Sequence, residues 1–318
     1  MKKIFRARLV GMGIVSVLIM GFGTETQAVG HYVPGTNGGF DDAQMPPPGW
    51  AFRIDHFKYS ATETMDNNGD KANVNFDLNV SGIAPNLHYT TQSPKLFGAR
   101  FGVRIAAPYY LQKDIELSAN TPGGPVSIAN GKETGLGDVN IAPFLLGWGG
   151  PKMSYTSFLG FSLFIPTGDF EGTKDMNKGE GFWSYHLEAG GRIFLDSDKK
   201  WWSSAISVFS INGEQDGTNK DMGNELSIEY GVGRVFFVGP FLINPALAGF
   251  GYWQLSADDD PAIPNDQEES HVKYAVGPEL AVIFLPKNLL IKARALYEFG
   301  VKNGPKGKNI SITMKYSF

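Results

Sequence analysis

Asn309 to Phe318 reads NISITMKYSF, and its alternation decides the fold. Ile310, Ile312, Met314, Tyr316 and Phe318 fall on one face of an extended strand. Ser311, Thr313, Lys315 and Ser317 fall on the other, because side chains along a strand point to opposite faces with period two. A last strand with a continuous apolar face needs apolar surroundings. In a bacterial outer-membrane barrel lipid supplies them, and the final strand closes the sheet. The polar face then lines a lumen.

Working back along the chain, the same period recurs. Val74, Phe76, Leu78 and Val80 alternate with Asn75, Asp77, Asn79 and Ser81, and Leu226, Ile228, Tyr230 and Val232 alternate with Ser227 and Glu229. The pattern predicts about twelve strands, at 50–59, 74–90, 98–111, 136–148, 154–166, 182–195, 201–212, 224–236, 241–256, 271–284, 289–299 and 309–318. The connections alternate. Those at 60–73, 112–135, 167–181, 213–223, 257–270 and 300–308 are long and polar, and those between them are short. Long extracellular loops, short periplasmic turns and an even strand number define an all-β, transmembrane, antiparallel up-and-down barrel. Aromatic residues near the predicted strand ends, among them Trp50, Tyr89, Tyr110, Trp183, Trp201, Trp202, Tyr252 and Tyr297, suit the two interfacial girdles of such a barrel.

The start of the chain agrees. Lys2, Lys3, Arg6 and Arg8 precede a largely apolar run from Leu9 to Phe22, and Thr26-Gln27-Ala28 ends in small residues. This is the pattern of a secretory signal peptide over 1–28, and the run is too short for a spanning helix. Its removal takes four basic residues and Glu25 from a chain of formal charge −4, leaving an acidic protein without a basic block. That argues against nucleic acid as a partner. With no Cys there is neither a disulfide framework nor a thiolate metal site. The expected organisation is therefore signal peptide, an N-terminal segment at 29–49, and one barrel domain at 50–318 in the bacterial outer membrane.

Residues 31–49, HYVPGTNGGFDDAQMPPPG, hold too much Pro and Gly for a regular element. Their Tyr32, Phe40 and Met45 make a plug inside the lumen one expectation and a periplasmic tail the other. By the alternation, Arg53, Asp55, Arg100, Arg104, Glu188, Arg192, Glu229, Lys292 and Arg294 form a polar network in the lumen. Asn75, Asp77, Asn140, His186, Lys273, Glu279 and Glu298 are expected on the same face. In a narrow barrel such charges pair and fill space, or form a selectivity constriction. Pro85, Pro108 and Pro143 lie in three successive predicted strands and mark bulges, or a lateral opening towards lipid. The acidic stretch with Asp258, Asp259, Asp260, Asp266, Glu268 and Glu269 reads as a solvated loop. The five His make no paired metal spacing, and neither GxSxG nor a phosphate-binding Gly loop is present, so neither an enzyme nor a cofactor is expected.

The segment HYVPGTNGGFDDAQMPPPGW, GLGDVNIAP from Gly135 to Pro143, IPTGDF from Ile165 to Phe170, EYGVG from Glu229 to Gly233 and the Phe-terminated strand together resemble the SphA family, also named after the meta-pathway of phenol degradation. The resemblance covers nearly all of the mature chain. It implies an outer-membrane barrel that admits small hydrophobic or amphipathic compounds, such as aromatic hydrocarbons or sphingoid lipids. Asp138 and Asp169 match the motif carboxylates. The expected function is passive uptake, with Tyr32, Phe40 and Met45 along the route. A diffusion porin for polar solutes and a structural or receptor barrel are the alternatives. The expected partners are outer-membrane lipid and lipopolysaccharide, a small hydrophobic ligand, and the barrel-assembly machinery through the last strand.

Overall fold

The computed structural model describes residues 30–92, 96–149, 154–261 and 270–318; the predicted signal peptide lies outside them. The chain forms a closed antiparallel barrel of twelve strands. These are β1 (Gly49–Met65), β2 (Val74–Thr90), β3 (Arg100–Ala106 and Tyr109–Thr121), β4 (Gly124–Leu136 and Val139–Gly149), β5 (Tyr155–Ile165) and β6 (Ser184–Phe194). They continue as β7 (Trp201–Asn212), β8 (Glu225–Arg234 and Phe236–Val238), β9 (Phe241–Gln254), β10 (Val272–Phe284), β11 (Leu289–Lys302) and β12 (Gly304–Ser317). Each strand pairs with its neighbours in sequence, and β1 pairs with both β2 and β12, so the sheet closes on itself.

The closing strand behaves as its alternation requires. Ile310, Ile312, Met314 and Tyr316 are exposed on the outside, while Ser311, Thr313, Lys315 and Ser317 are buried within. Outward apolar side chains recur on Phe52, Val103, Leu159, Leu187, Ile228, Leu247, Leu280 and Ile291. Trp50, Tyr89, Trp183, Trp201, Tyr297 and Phe318 are also exposed, as a girdle requires. Trp202, Tyr110 and Tyr252 correct the girdle reading. Trp202 and Tyr252 are buried inside the barrel, and Tyr110 lines its cavity.

Two of the predicted loops are largely strand. The stretch 112–135 is a β3–β4 hairpin that runs on beyond the neighbouring β5, and 300–308 is mostly an extension of β11 and β12, while only the first six residues of 60–73 extend β1. Over this outer part the two faces exchange polarity. Val74, Phe76, Leu78, Ile115 and Leu117 are buried in one apolar cluster with Ala61, Ala72, Ala129 and Met176. Asn75 and Asp77, expected in the lumen, point outward and are exposed, as is Glu116. The reason is solvent. Above the lipid, water surrounds the outside of the wall, so its apolar face turns inward as in a soluble sheet.

β3 and β4 are each interrupted once, at 107–108 and 137–138. Ala107 N–H still bonds Pro85 O at 3.1 Å and Gly137 N–H bonds Pro108 O at 2.9 Å, so the wall stays stitched there. Pro85 itself pairs in unbroken register with Ile54, and Pro143 falls in the bulge between Ile141 and Phe144. The outer segment of β4 has β3 on one edge only. Its other edge is covered by the 166–183 connection, where Asp175 Oδ2 accepts Asn130 N–H at 2.9 Å and Lys174 pairs with Glu133 at 3.4 Å.

Candidate functional site

Residues 30–48 run through the lumen from end to end. His31 meets Ser184 and Asp138 at the long-loop end, and the segment enters β1 where Trp50 N–H bonds Phe318 O at 3.0 Å. With four Pro and four Gly between 31 and 49 the segment cannot pair into the sheet, so its backbone polar groups must find side chains. They do. Glu229 accepts Asn37 N–H at 2.7 Å, Arg192 donates to Phe40 O at 2.7 Å, and Arg294 donates to Gly35 O at 2.7 Å. Ser204 Oγ donates to Gly38 O at 2.6 Å, and Thr156 Oγ1 to Ala43 O at 3.2 Å.

The central knot is built on Asp42. Its Oδ1 accepts Arg53 Nη1 at 3.0 Å; its Oδ2 accepts Lys292 Nζ at 2.5 Å and Arg294 Nη2 at 3.2 Å. Arg53 also pairs with Asp55 at 2.7 Å, and Arg294 Nε with Glu279 at 2.7 Å. Neighbouring Asp41 pairs with Lys315 of the closing strand. Charges so deeply buried are tolerated because each is paired and hydrogen-bonded.

The three apolar residues singled out in this segment all face partners on the wall. Tyr32 donates its hydroxyl to Glu229 and sets its ring edge-on to His186. Phe40 is buried against Trp202, with ring centroids 5.3 Å apart, and lies under the Arg192 guanidinium at 3.9 Å. Met45 seats on Gly102 and Gly147, where an added Cβ would come within 2.5 Å of its Cε and Sδ respectively. Only residues without a side chain admit it there.

Of the expected polar network, Arg53, Asp55, Lys292, Arg294 and Glu229 gather around residues 32–42, and Arg192 joins them through Phe40 O and Gln44. Arg104 and Glu188 make a separate pair at 2.7 Å, with Ser162 and Asn140 beside them. Arg100 stands apart at the short-turn rim, on Gly149 O at 3.2 Å. Asp138 accepts the backbone N–H groups of Gly168 and Glu180 and orders the 166–183 connection. Asp169 lies exposed on that connection, and its hydrogen bond to Lys178, 3.1 Å away, holds it below the usual carboxylate range. The sequence reading missed Asp41 and Asp42 as anchors. Their signal was a carboxylate doublet in a segment that has no other Asp, Glu, Lys or Arg.

The segment packs mainly against β5–β12 and leaves room on the opposite wall. A cavity of about 370 Å³ lies there, bordered by Phe57, Tyr59, Leu78, Val80, Pro108 and Tyr110 on β1–β3 and by Met176 of the covering loop. Lower down it meets Arg53, Asp55, Asn86, His88 and Arg104. Two ion pairs flank its outer half, Lys113 with Glu180 at 2.9 Å and Lys273 with Glu298 at 3.3 Å. The cavity therefore grades from apolar at the long-loop end to polar at the short-turn end. Among the described residues no cluster of His, Asp and Glu has metal-binding geometry.

A closed twelve-strand barrel with an apolar belt and a polar, partly filled lumen is an outer-membrane channel architecture. The chain belongs to the family described as "Putative MetA-pathway of phenol degradation", whose model matches residues 61–314. No curated protein sequence matches the chain. Among solved structures it resembles the COG4313 outer membrane channel from Pseudomonas putida F1, at 16% identity and TM-score 0.66 over 87% of this chain and 98% of that one. It also resembles the beta domain of the Bordetella autotransporter BrkA, at 14% identity and TM-score 0.53 over 85% of this chain and 100% of that one. At these identities the likeness is one of fold.

Proposed function

We propose that this barrel is a passive outer-membrane channel for small hydrophobic or amphipathic compounds. The observation that carries the reading is the cavity on the β1–β3 wall, where Phe57, Tyr59, Leu78, Val80 and Tyr110 give an apolar solute a place to leave water inside an otherwise charged lumen. Family membership agrees with it. Residues 30–48 act as a plug that narrows the lumen to this one-sided passage and shuts out bulk polar solutes. No energy source is needed, since the solute moves down its gradient. The belt around Ile310 and Ile312 faces membrane lipid, and the terminal strand is what the barrel-assembly machinery reads. The protein is not an enzyme.

The test is uptake of a labelled monoaromatic by cells or proteoliposomes carrying the full-length barrel. Leu78→Asp or Val80→Asp places a charge in the apolar half of the passage and slows uptake, while conductance to small ions stays low. Unaltered uptake in both variants refutes the proposed route. A large ohmic conductance in the wild-type protein refutes the plug and favours a polar porin.

A further inference from the structure

His31, Ser184 and Asp138 stand at the spacing of a hydrolytic triad. His31 Nδ1 is 2.7 Å from Ser184 Oγ, and Nε2 is 2.8 Å from Asp138 Oδ2. The direction of each proton decides what the trio does. Asn212 Nδ2 donates to Gly223 O at 2.7 Å, which turns Asn212 Oδ1 towards Ser184 Oγ at 2.6 Å. An amide oxygen only accepts, so Ser184 gives its single hydrogen to Asn212 and must accept from His31 Nδ1–H. At the other nitrogen Asp138 already accepts two backbone N–H groups, Gly168 on Oδ1 at 2.8 Å and Glu180 on Oδ2 at 2.7 Å. It is a carboxylate that accepts from Nε2–H as well. A ring that donates from both nitrogens is an imidazolium.

This arrangement runs opposite to that of a nucleophile, which aims its hydrogen at a base with a free lone pair. Ser184 is also fully buried. We infer that His31 is a charged latch. It fastens the outer end of the lumenal segment to two long connections at once: the 166–183 connection through Asp138, and the 213–224 connection through Ser184, Asn212 and Gly223. Phe164 stacks on the ring at 4.8 Å and Phe182 meets it edge-on at 4.6 Å, fixing its orientation. The charged and titratable groups around it are Asp138, Glu180 with its partner Lys113, Glu225 on Gly30 N–H at 2.7 Å, and His186 beside Tyr32.

A neutral ring has one N–H too few. Either Nδ1 faces the Ser184 oxygen lone pair to lone pair, or Ser184 turns its hydrogen to His31 and leaves Asn212 Oδ1 without its donor. Each state leaves a buried polar group unpaired, so alkaline solution loosens the latch and frees the outer end of the segment. The inference rests on residues 30–48 lying in the lumen and is independent of which solute passes.

The experiment is nitrogen-detected NMR of the ¹⁵N-histidine-labelled, full-length barrel in nanodiscs, with the His31 ring identified by its loss in His31→Gln. At neutral pH both His31 nitrogens carry protons; a single protonated nitrogen overturns the inference. Single-channel recording gives the second readout. Wild-type conductance rises towards alkaline pH, whereas His31→Gln stands at the raised level throughout. A wild-type profile that matches the variant at every pH overturns the latch, and failure of solute uptake alone leaves both readouts unaffected.

Discussion

Lys292 and Asp42 are 250 positions apart in the chain, yet Lys292 Nζ meets Asp42 Oδ2 at 2.5 Å inside the barrel. The contact joins β11 to the segment that crosses the lumen, and Arg53 and Arg294 converge on the same carboxylate at 3.0 and 3.2 Å. Removing it leaves three buried cations to share Asp55, Glu279 and Glu229. Breaking a buried pair from one side costs about 3–5 kcal/mol. Asp42→Ala therefore frees residues 31–48 from the wall for part of the time. Single-channel recording shows flickering openings whose conductance matches that of a barrel lacking residues 31–48, with strand content unchanged by circular dichroism. Silence in both proteins refutes the idea that this segment closes the channel.

Phe40 supplies the apolar half of the same attachment. It fills the space between Trp202, Phe194 and the Arg192 guanidinium. Phe→Ala at a packed site costs about 3–5 kcal/mol, so Phe40→Ala lets water reach Trp202. Of the six Trp residues, Trp202 is the one with no solvent exposure. The variant therefore shows a red-shifted emission component that aqueous iodide quenches. An unchanged spectrum places Phe40 away from Trp202 in the membrane-bound protein.

How much of this was legible in the sequence depends on what sets each feature. Period two is a property of backbone geometry, so the alternation of NISITMKYSF names both faces and the solvent of each. The same period in Val74–Leu78 named two faces but assigned them the wrong way round. Alternation carries no height above the membrane, and the outside medium changes from lipid to water partway along β2. Register supplies the missing height. Ile115 pairs with Leu78 and Glu116 with Asp77 in the outer part of the β2–β3 pair, and such register is set only when the two strands pair. Trp202 was misplaced for a related reason. A tryptophan at a strand end suits a girdle or an interior equally well, and only the next residue's exposure separates Trp201 from Trp202. The Asp42 knot depends on β1 and β11 meeting one segment, which no local pattern encodes.

Asp169 gives the pH response of the covering loop a definite sign. Its carboxyl is held below the usual range by its hydrogen bond to Lys178 and by the Lys charges around it. A depressed carboxyl contributes its stabilisation fully above the ordinary carboxylate range and loses it as pH falls through its own lower value. Amide exchange in the 166–183 connection, corrected for its intrinsic pH dependence, therefore stays constant from pH 8 to about 5 and accelerates in stronger acid. Because the pair is exposed, the Asp169→Asn change is small and fades in high salt. Acceleration already on moving from pH 8 to 6 assigns control to another group.

Ile312 and Asp77 both point outward, and the change of solvent along the wall predicts opposite outcomes for them. Ile312 is exposed midway along the closing strand, between His56 of β1 and Ala293 of β11. A Lys in that position stands in hydrocarbon, at a cost of about 2–4 kcal/mol near the bilayer midplane. Ile312→Lys therefore lowers the midpoint of denaturant-induced release from lipid vesicles by a corresponding amount. Asp77→Lys lies on the same side of the wall beyond the lipid, opposite Glu116 in register, and leaves the midpoint unchanged or slightly higher through a cross-strand pair. Ile115→Lys, placed inside the outer apolar cluster, destabilises although it replaces an apolar residue in the part of the barrel surrounded by water. Equal destabilisation at Ile312 and Asp77 refutes a lipid boundary between them, and tolerance at Ile115 refutes the inward turn of the apolar face.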